Sequence, residues 1–196
     1  MSSKEAILSN IRKNLEKRTK TEYPEIETFE KENADLLSLF KKNLEIAAGT
    51  WYEVNSVEEA QKIMSEKLPN VKVICSATDE WKGNKSLSDI AHPQDLQDVD
   101  LGVIRAGFGV AEMGMVWLTE HLLKENSIGF LSQHLAILLD PEQLTENMHT
   151  AYQRTDFWEN HYGCFMMGPS ATADIGATLV HGAQGARSLT VFFLKG

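Results

Sequence analysis

"TWYEVNSVEEAQKIMSEKLPNVKVICSA", Thr50–Ala77, decides the fold. It opens on a β-branched and aromatic run, Thr50–Val54, that suits a strand. Ser56 with Glu59 three positions later is a capping box, after which Ala60, Ile63 and Met64 recur at helical spacing. Pro69 and Asn70 end that helix, and Val71–Ala77 reads as a buried strand. Strand, helix and apolar strand in succession form the unit of a parallel sheet covered by helices.

The surrounding chain follows the same pattern. Upstream, a helix over Asn33–Ala48 carries Leu36, Leu37, Phe40 and Leu44 on one face and ends at Gly49. Downstream, Thr78–Asp98 is polar and reads as loop, and Leu101–Ala106, Met115–Thr119 and His134–Asp140 read as strands. The first two of these have no helix between them, which predicts an antiparallel or hairpin portion within Leu101–Asp140. Asp140 then caps, Pro141 takes the first helical position, and Leu144, Met148 and Tyr152 mark a helix face. Gly163–Met167 and Ser188–Leu194 are the last strands. The expected fold is α/β, a mainly parallel mixed sheet covered by helices.

An amphipathic helix precedes this domain, opened by Ser2 and Glu5 and striped with Leu8, Ile11 and Leu15. The polar segment Thr19–Asn33, broken by Pro24, reads as a linker. The organisation is therefore an N-terminal helix and linker over residues 1–32 and one α/β domain over 33–196.

The formal net charge of −9 argues against nucleic-acid binding through a general basic surface, and the basic run Arg12–Lys20 is interrupted by Glu16. No apolar run approaches the roughly 18 residues of a membrane span, and the charged N-terminus lacks a signal-peptide core. A cytoplasmic protein is expected. Cys75 and Cys164 are widely separated and neither is in a C-x-x-C pair, so neither structural zinc nor an iron–sulfur cluster is expected on this chain alone. No metal site is expected, since the histidines form no H-x-x-x-H pair. There is also no P-loop and no G-x-S-x-G elbow.

Two stretches carry candidate chemistry. "GPSATADIGATLVHGAQGA", Gly168–Ala186, sets glycines and hydrogen-bonding side chains between two apolar runs. Gly168 can cap and Pro169 can start a short helix, leaving Ser170 and Thr172 in a first turn whose free N–H groups suit a phosphate or carboxylate. Gly182, Gln184 and Gly185 supply a second turn and an amide. The competing reading is purely structural: the glycines permit tight turns and Ser170 only caps. Asp174 either bonds its own turn or projects into a pocket. In "GFGVAEMGM", Gly107–Met115, the third glycine of a dinucleotide fingerprint is missing. What remains is Glu112 beside Gly114, either a base or nucleophile or an exposed turn residue. His134 and His181 flank apolar runs and either face a pocket or are satisfied structurally.

"AEMGMVWLT" followed some fifty residues later by "GPSATADIGATLVHGAQGARSLTVFFL" resembles the LUD-domain family, the lactate-utilization C proteins. Members read A-[ED]-T-G-T-[IV]-V and then G-P-S-x-T-A-D-I-E-x-x-L-V-x-G-V-H-G-P. The likeness covers about Asn33 to Gly196, and an amphipathic N-terminal helix is usual there. Met113 and Met115 replace the two threonines, Gly176 the acidic residue, Gln184 the histidine and Ala186 the proline. The resemblance implies the NagB/RpiA/CoA-transferase-like fold, whose members bind sugar phosphates, CoA esters or nucleotides at strand C-termini. It implies an accessory role in L-lactate (organic-acid) utilization, with iron–sulfur oxidoreductase partners carrying the electrons and no cofactor motif in this chain. The small anionic ligand would then contact Gly114, Gly168, Ser170, Thr172, Asp174, Gly182, Gln184 and Gly185, with Glu112 as acceptor or base. The alternatives are a CoA- or phosphosugar-dependent transferase, ligase or isomerase, and a non-catalytic assembly or regulatory protein docking through its first helix. Whether the departures change or abolish the ligand site stays open, as does self-association into a homo-oligomer.

Overall fold

In the computed structural model of the chain, residues 2–15 and 35–195 are described. The expected linker, and with it the boundary between 1–32 and 33–196, lies outside them. The first helix α1, Ser3–Leu15, forms with the expected capping box: Ser2 N–H reaches Glu5 Oε2 at 2.6 Å and Glu5 N–H reaches Ser2 Oγ at 3.3 Å. None of its residues is buried.

Helix α2, Leu36–Ile46, is capped by Asp35, whose carboxylate accepts from Ser38 N–H at 3.1 Å. The left-handed residue that ends it is Ala48 (φ 61°), one position before the expected glycine. Gly49 is needed for space instead, since a Cβ there would lie 2.3 Å from Leu44 Cδ1. Strand β1, Thr50–Glu53, leads into α3, Val57–Lys67, and on to β2, Ile74–Ser76, as the opening stretch predicts. Ser56 caps α3 through Glu59 N–H, while Glu59 reaches back one residue further than expected, to Asn55 N–H at 2.8 Å.

With β3 (Leu101–Arg105), β6 (His134–Leu139) and β11 (Ser188–Phe193) these strands form an all-parallel sheet in the order β1-β11-β6-β3-β2. Period-two alternation sorts its side chains. Ile104, Leu135, Ile137, Leu139, Leu189, Val191 and Phe193 pack with Phe40 and Leu44 of α2, whereas Val103, Ala136, Leu138 and Phe192 pack with Ala60 and Met64 of α3. An antiparallel hairpin does fall within Leu101–Asp140, but its first strand is β4 (Phe108–Val110), inside the stretch expected as a turn. It pairs with β5 (Met115–Thr119), and β5 also pairs antiparallel with β8, Gly163–Met166. Val116 and Leu118 of this second sheet enter the same core as α2, and its outer face carries Phe108, Trp117 and Phe165. Short helices α4 (Glu120–Leu123) and α5 (Ile128–Leu131) link β5 to β6.

Two expected helices do not form. Asp140 caps only a 3₁₀ turn, Pro141–Gln143, after which Leu144–Thr145 becomes β7, parallel to β4. The exposed edge of β4 wins the segment, because Ala111 N–H and Glu112 N–H donate to the carbonyls of Thr145 and Glu146. A new helix, α6 (Met148–Tyr152), starts only where Asn147 can cap it, and α7 (Thr155–Trp158) follows. After Pro169 the chain also stays extended, forming β9 (Ala171–Thr172) and antiparallel β10 (Val180–His181). The Ser170 carbonyl, which a helix would use, accepts from Gly182 N–H instead at 2.8 Å.

Candidate functional site

Gly114 and Gly168 lie side by side, because the β5–β8 register pairs Val116 with Met166 and each glycine is two residues beyond. Both have a left-handed backbone (φ 64° and 65°), and both touch α2. A Cβ on Gly114 would fall 2.3 Å from Leu44 N, and one on Gly168 would fall 2.1 Å from the Ala47 carbonyl oxygen. Asn43 of α2 locks the first turn by donating its amide to the carbonyls of Ala111 (2.9 Å) and Glu112 (2.8 Å). Glu112 Oε2 accepts from Met148 N–H at 3.2 Å, at the start of α6, where a carboxylate favours the helix dipole.

The Gly168–Ala186 loop closes on its own backbone. Ser170 N–H donates to Ala186 O at 2.8 Å, so that amide is not available to a ligand in the way the sequence suggests. Thr172 Oγ1 and Asp174 bond each other, at 3.0 Å side chain to side chain. The side chains of the loop with no hydrogen-bond partner among the described residues include the Ser170 hydroxyl, the His181 ring and the Gln184 amide. Gly185 stands over Ser170: a Cβ there would be 3.1 Å from Ser170 Cβ. Gly182 (φ 77°) gives way to Arg187, whose Cγ would be 2.4 Å from an added Cβ.

Since the loop leads into the start of β11, it lies at the N-terminal edge of the parallel sheet and not at the strand C-termini that the resemblance implies. A cleft of about 540 Å³ opens at that edge, lined among others by Lys67, Asp100, Gln133, His134 and Arg187. The strand ladder assembles it. Arg187 N–H donates to Gln133 O at 2.8 Å and His134 N–H to Asp100 O at 2.9 Å, so the leading residues of β11, β6 and β3 stand in a row. Lys67, from the last turn of α3, donates to Thr50 Oγ1 at 2.6 Å and to the buried Thr190 Oγ1 at 3.3 Å.

Neither Lys67 nor Arg187 has a carboxylate partner among the described residues. Burial lowers the Lys67 pKa. His134 Nδ1 lies 2.8 Å from Ser188 Oγ. Its pKa is also lowered, first by burial, then by the positive charges of Arg187 and Lys67, against an opposing pull from Asp100. The Asp100 carboxylate accepts from Val73 and Lys72 N–H at 2.9 and 2.8 Å, which holds its own pKa down. Asp98, also in the cleft, pairs with Lys85. Arg187 and Lys67 were not singled out from the sequence. The signal that could have found most of the row is that Asp100, His134 and Arg187 each immediately precede or open an apolar strand.

Cys75 is on β2 and Cys164 on β8, in different sheets, and burial raises the pKa of both thiols. Among the described residues no three His, Cys, Asp or Glu side chains gather so as to hold a metal ion, and no helix is long and apolar enough to cross a membrane.

No curated protein sequence matches the chain significantly. The fold is similar to the crystal structure of a DUF162 family protein from Deinococcus radiodurans, with a TM-score of 0.62 at 12% identity over 82% of this chain and 96% of that one. The LUD domain profile matches residues 84–194, from the loop before β3 to the end of β11, and so takes in both glycine turns, the Gly168–Ala186 loop and the leading ends of β3, β6 and β11. The chain belongs to the LUD-domain family.

Proposed function

We propose that this LUD-domain chain is an accessory component of organic-acid utilization, of the lactate class, working in the cytoplasm with iron–sulfur proteins that carry the electrons. The observation that carries the reading is the Gly168–Ala186 loop. Ser170 N–H and O are taken up by Ala186 and Gly182, while the Ser170 hydroxyl and the Gln184 amide, which have no partner among the described residues, stay available to a small carboxylate. Gly114, Gly168, Gly182 and Gly185 shape the loop and hold it to the body, and Thr172 and Asp174 brace the ribbon behind it. Glu112, whose carboxylate is held by Met148 N–H at the start of α6, is the group assigned to take a proton if the protein is catalytic. The placement of the two cysteines in separate sheets favours a division of labour in which redox centres belong to partners.

A thermal-shift screen with lactate, pyruvate, CoA esters, sugar phosphates and nucleotides tests this. Saturation at 100 times Kd stabilises by about 2.7 kcal/mol. Lactate or pyruvate is expected to shift the wild type, and Ser170→Ala with Gln184→Ala is expected to remove the shift. A shift that survives both changes, or a response to CoA esters alone, overturns the assignment.

One observation favours docking through α1: Ile7, Leu8, Ile11 and Leu15 are all exposed on it. Co-purification with iron–sulfur proteins should be lost on deleting residues 1–20. Size-exclusion chromatography of the same pair of proteins shows whether α1 also drives self-association.

A further inference from the structure

We propose that the cleft between α3 and the leading ends of β3, β6 and β11 is a binding site for a phosphate group, presented as inorganic phosphate or as the head of a small phosphomonoester. It goes beyond the organic-acid reading, since it uses different side chains from the Ser170–Gln184 loop.

The first ground is charge. Exposed cations such as Lys42, Lys62 and Lys72 also stand without an ion-paired carboxylate among the described residues, so it is position in a cleft that sets a pair apart. Here two that line one cleft, Lys67 and Arg187, have none among the described residues. Lys67 is moreover half-buried, where an ammonium without a counter-charge is costly. The opposite edge of the same sheet provides the contrast. There Arg105 at the end of β3 is held by Glu80, and Lys195 by Glu142.

The second ground is the donor set. Arg187 offers a planar fork, Lys67 an ammonium, Gln133 an amide, and His134 its Nε2, the ring nitrogen not occupied by Ser188. These come from the loop before β11, from α3 and from the start of β6, three separate segments that line one cleft. A tetrahedral oxyanion accepts bonds from several directions at once and is the natural partner of an arginine fork joined by a lysine. The cleft of about 540 Å³ exceeds a bare phosphate, which leaves room for the ester group.

The third ground is the proton count. The charges facing His134 are Arg187, Lys67 and Asp100, with the Ser188 hydroxyl on Nδ1. Asp98 is neutralised by Lys85. The cleft thus carries a net charge of +1 around a neutral imidazole and +2 around imidazolium. Bound phosphate dianion matches the second state, so binding and protonation of His134 assist each other.

The test is a titration of the full-length, isotopically histidine-labelled protein with inorganic phosphate, with glycerol phosphate and with L-lactate. The His134 ring is read by NMR against pH, with Ser170→Ala run alongside. Both phosphates, or glycerol phosphate alone, should raise the His134 pKa. Arg187→Gln should weaken binding about tenfold or more, the loss of one charge-assisted pair, while Ser170→Ala should leave it unchanged. Arg187 is exposed, so its variant folds; His134→Asn, which keeps a hydrogen-bonding group near Ser188, should bind phosphate with a flattened pH dependence. A His134 titration that neither phosphate moves, or wild-type affinity in Arg187→Gln, overturns the site. Phosphate binding without any lactate response would defeat the organic-acid reading alone, and the reverse pattern this one alone.

Discussion

Gly168→Ala and Gly176→Ala form a matched pair that isolates how the loop is held. Both glycines have φ of 65°. An added methyl at Gly176 meets nothing within 4 Å, whereas at Gly168 it falls 2.1 Å from the Ala47 carbonyl oxygen at the end of α2. The left-handed conformation costs alanine about 1–2 kcal/mol, and the stiffer unfolded chain returns about 0.4–1 kcal/mol. Gly176→Ala should therefore lose about 1 kcal/mol. Gly168→Ala pays the same and must also displace backbone by more than an ångström, an overpacking cost of about 1–3 kcal/mol on top. For a chain of this size the gap corresponds to a Tm about 2–12 °C lower for Gly168→Ala. Urea unfolding at fixed pH measures both free energies. The displaced loop should also lose its organic-acid response, and the Gly176 variant should keep it. Equal stability of the two proteins would refute the account of Gly168 as a contact glycine seated on α2.

Glu112→Gln should cost about 0.3–1 kcal/mol in urea unfolding, the loss of one carboxylate at the α6 N-terminus. If activity is found and this variant abolishes it while stability falls only that far, Glu112 acts as acid or base. The pKa of His134 is lowered from 6.5, so as pH falls below that value the unfolded chain takes up protons that the folded protein resists. Stability should be full above pH 6.5 and decline as pH falls toward the folded-state value. His134→Asn should flatten that decline in unfolding free energies measured from pH 5 to 8. Deleting residues 1–15 should leave the unfolding free energy within about 0.5 kcal/mol of the parent, because α1 buries no residue, and a larger loss would show that its stripe packs on the body. Trp117→Phe should stay within about 1 kcal/mol of the parent: the indole N–H is buried without a partner, so its removal offsets the lost ring area.

Local pattern was enough for elements that bury continuous apolar runs. The strand–helix–strand unit at Thr50–Ala77, an antiparallel portion within Leu101–Asp140 and the strand β11 all follow from it, though β4 itself lies where the pattern predicts a turn. It failed where a distant partner competed for the backbone. Asp140 and Pro141 are sound helix-starting residues, yet the open edge of β4 captures Leu144–Thr145. Pro169 and Ser170 suit a helix start equally well, but Gly182 and Ala186 claim the Ser170 backbone. The candidate site divides in the same way. Gly114 and Gly168 stood out as glycines, and their use against α2 needed the register of β5 on β8. Lys67 reads as an ordinary last-turn helix cation, and Arg187 as a loop cation. Only the strand order β11-β6-β3 brings Arg187 alongside residues more than fifty positions away.

The position of the Lys67–Arg187 cleft has a consequence for what can hold an anion there. In parallel α/β sheets, helix N-termini gather at the strand C-terminal edge, and their unpaired N–H groups do much of the work of anion binding. At the opposite edge helices present their C-termini, and α3 ends at Lys67 beside this cleft. A helix C-terminus carries about half a negative charge, which repels an anion. Two full side-chain charges outweigh it, and a bound anion relieves the crowding that burial and those cations impose on His134. Affinity resting on side-chain cations against an opposing dipole should fall steeply with ionic strength, because Arg187 is open to solvent and screened by salt. Phosphate binding measured from low to physiological salt should therefore weaken markedly in the wild type and far less in Arg187→Gln. Salt-independent binding would mean that backbone amides, and not these two side chains, hold the anion.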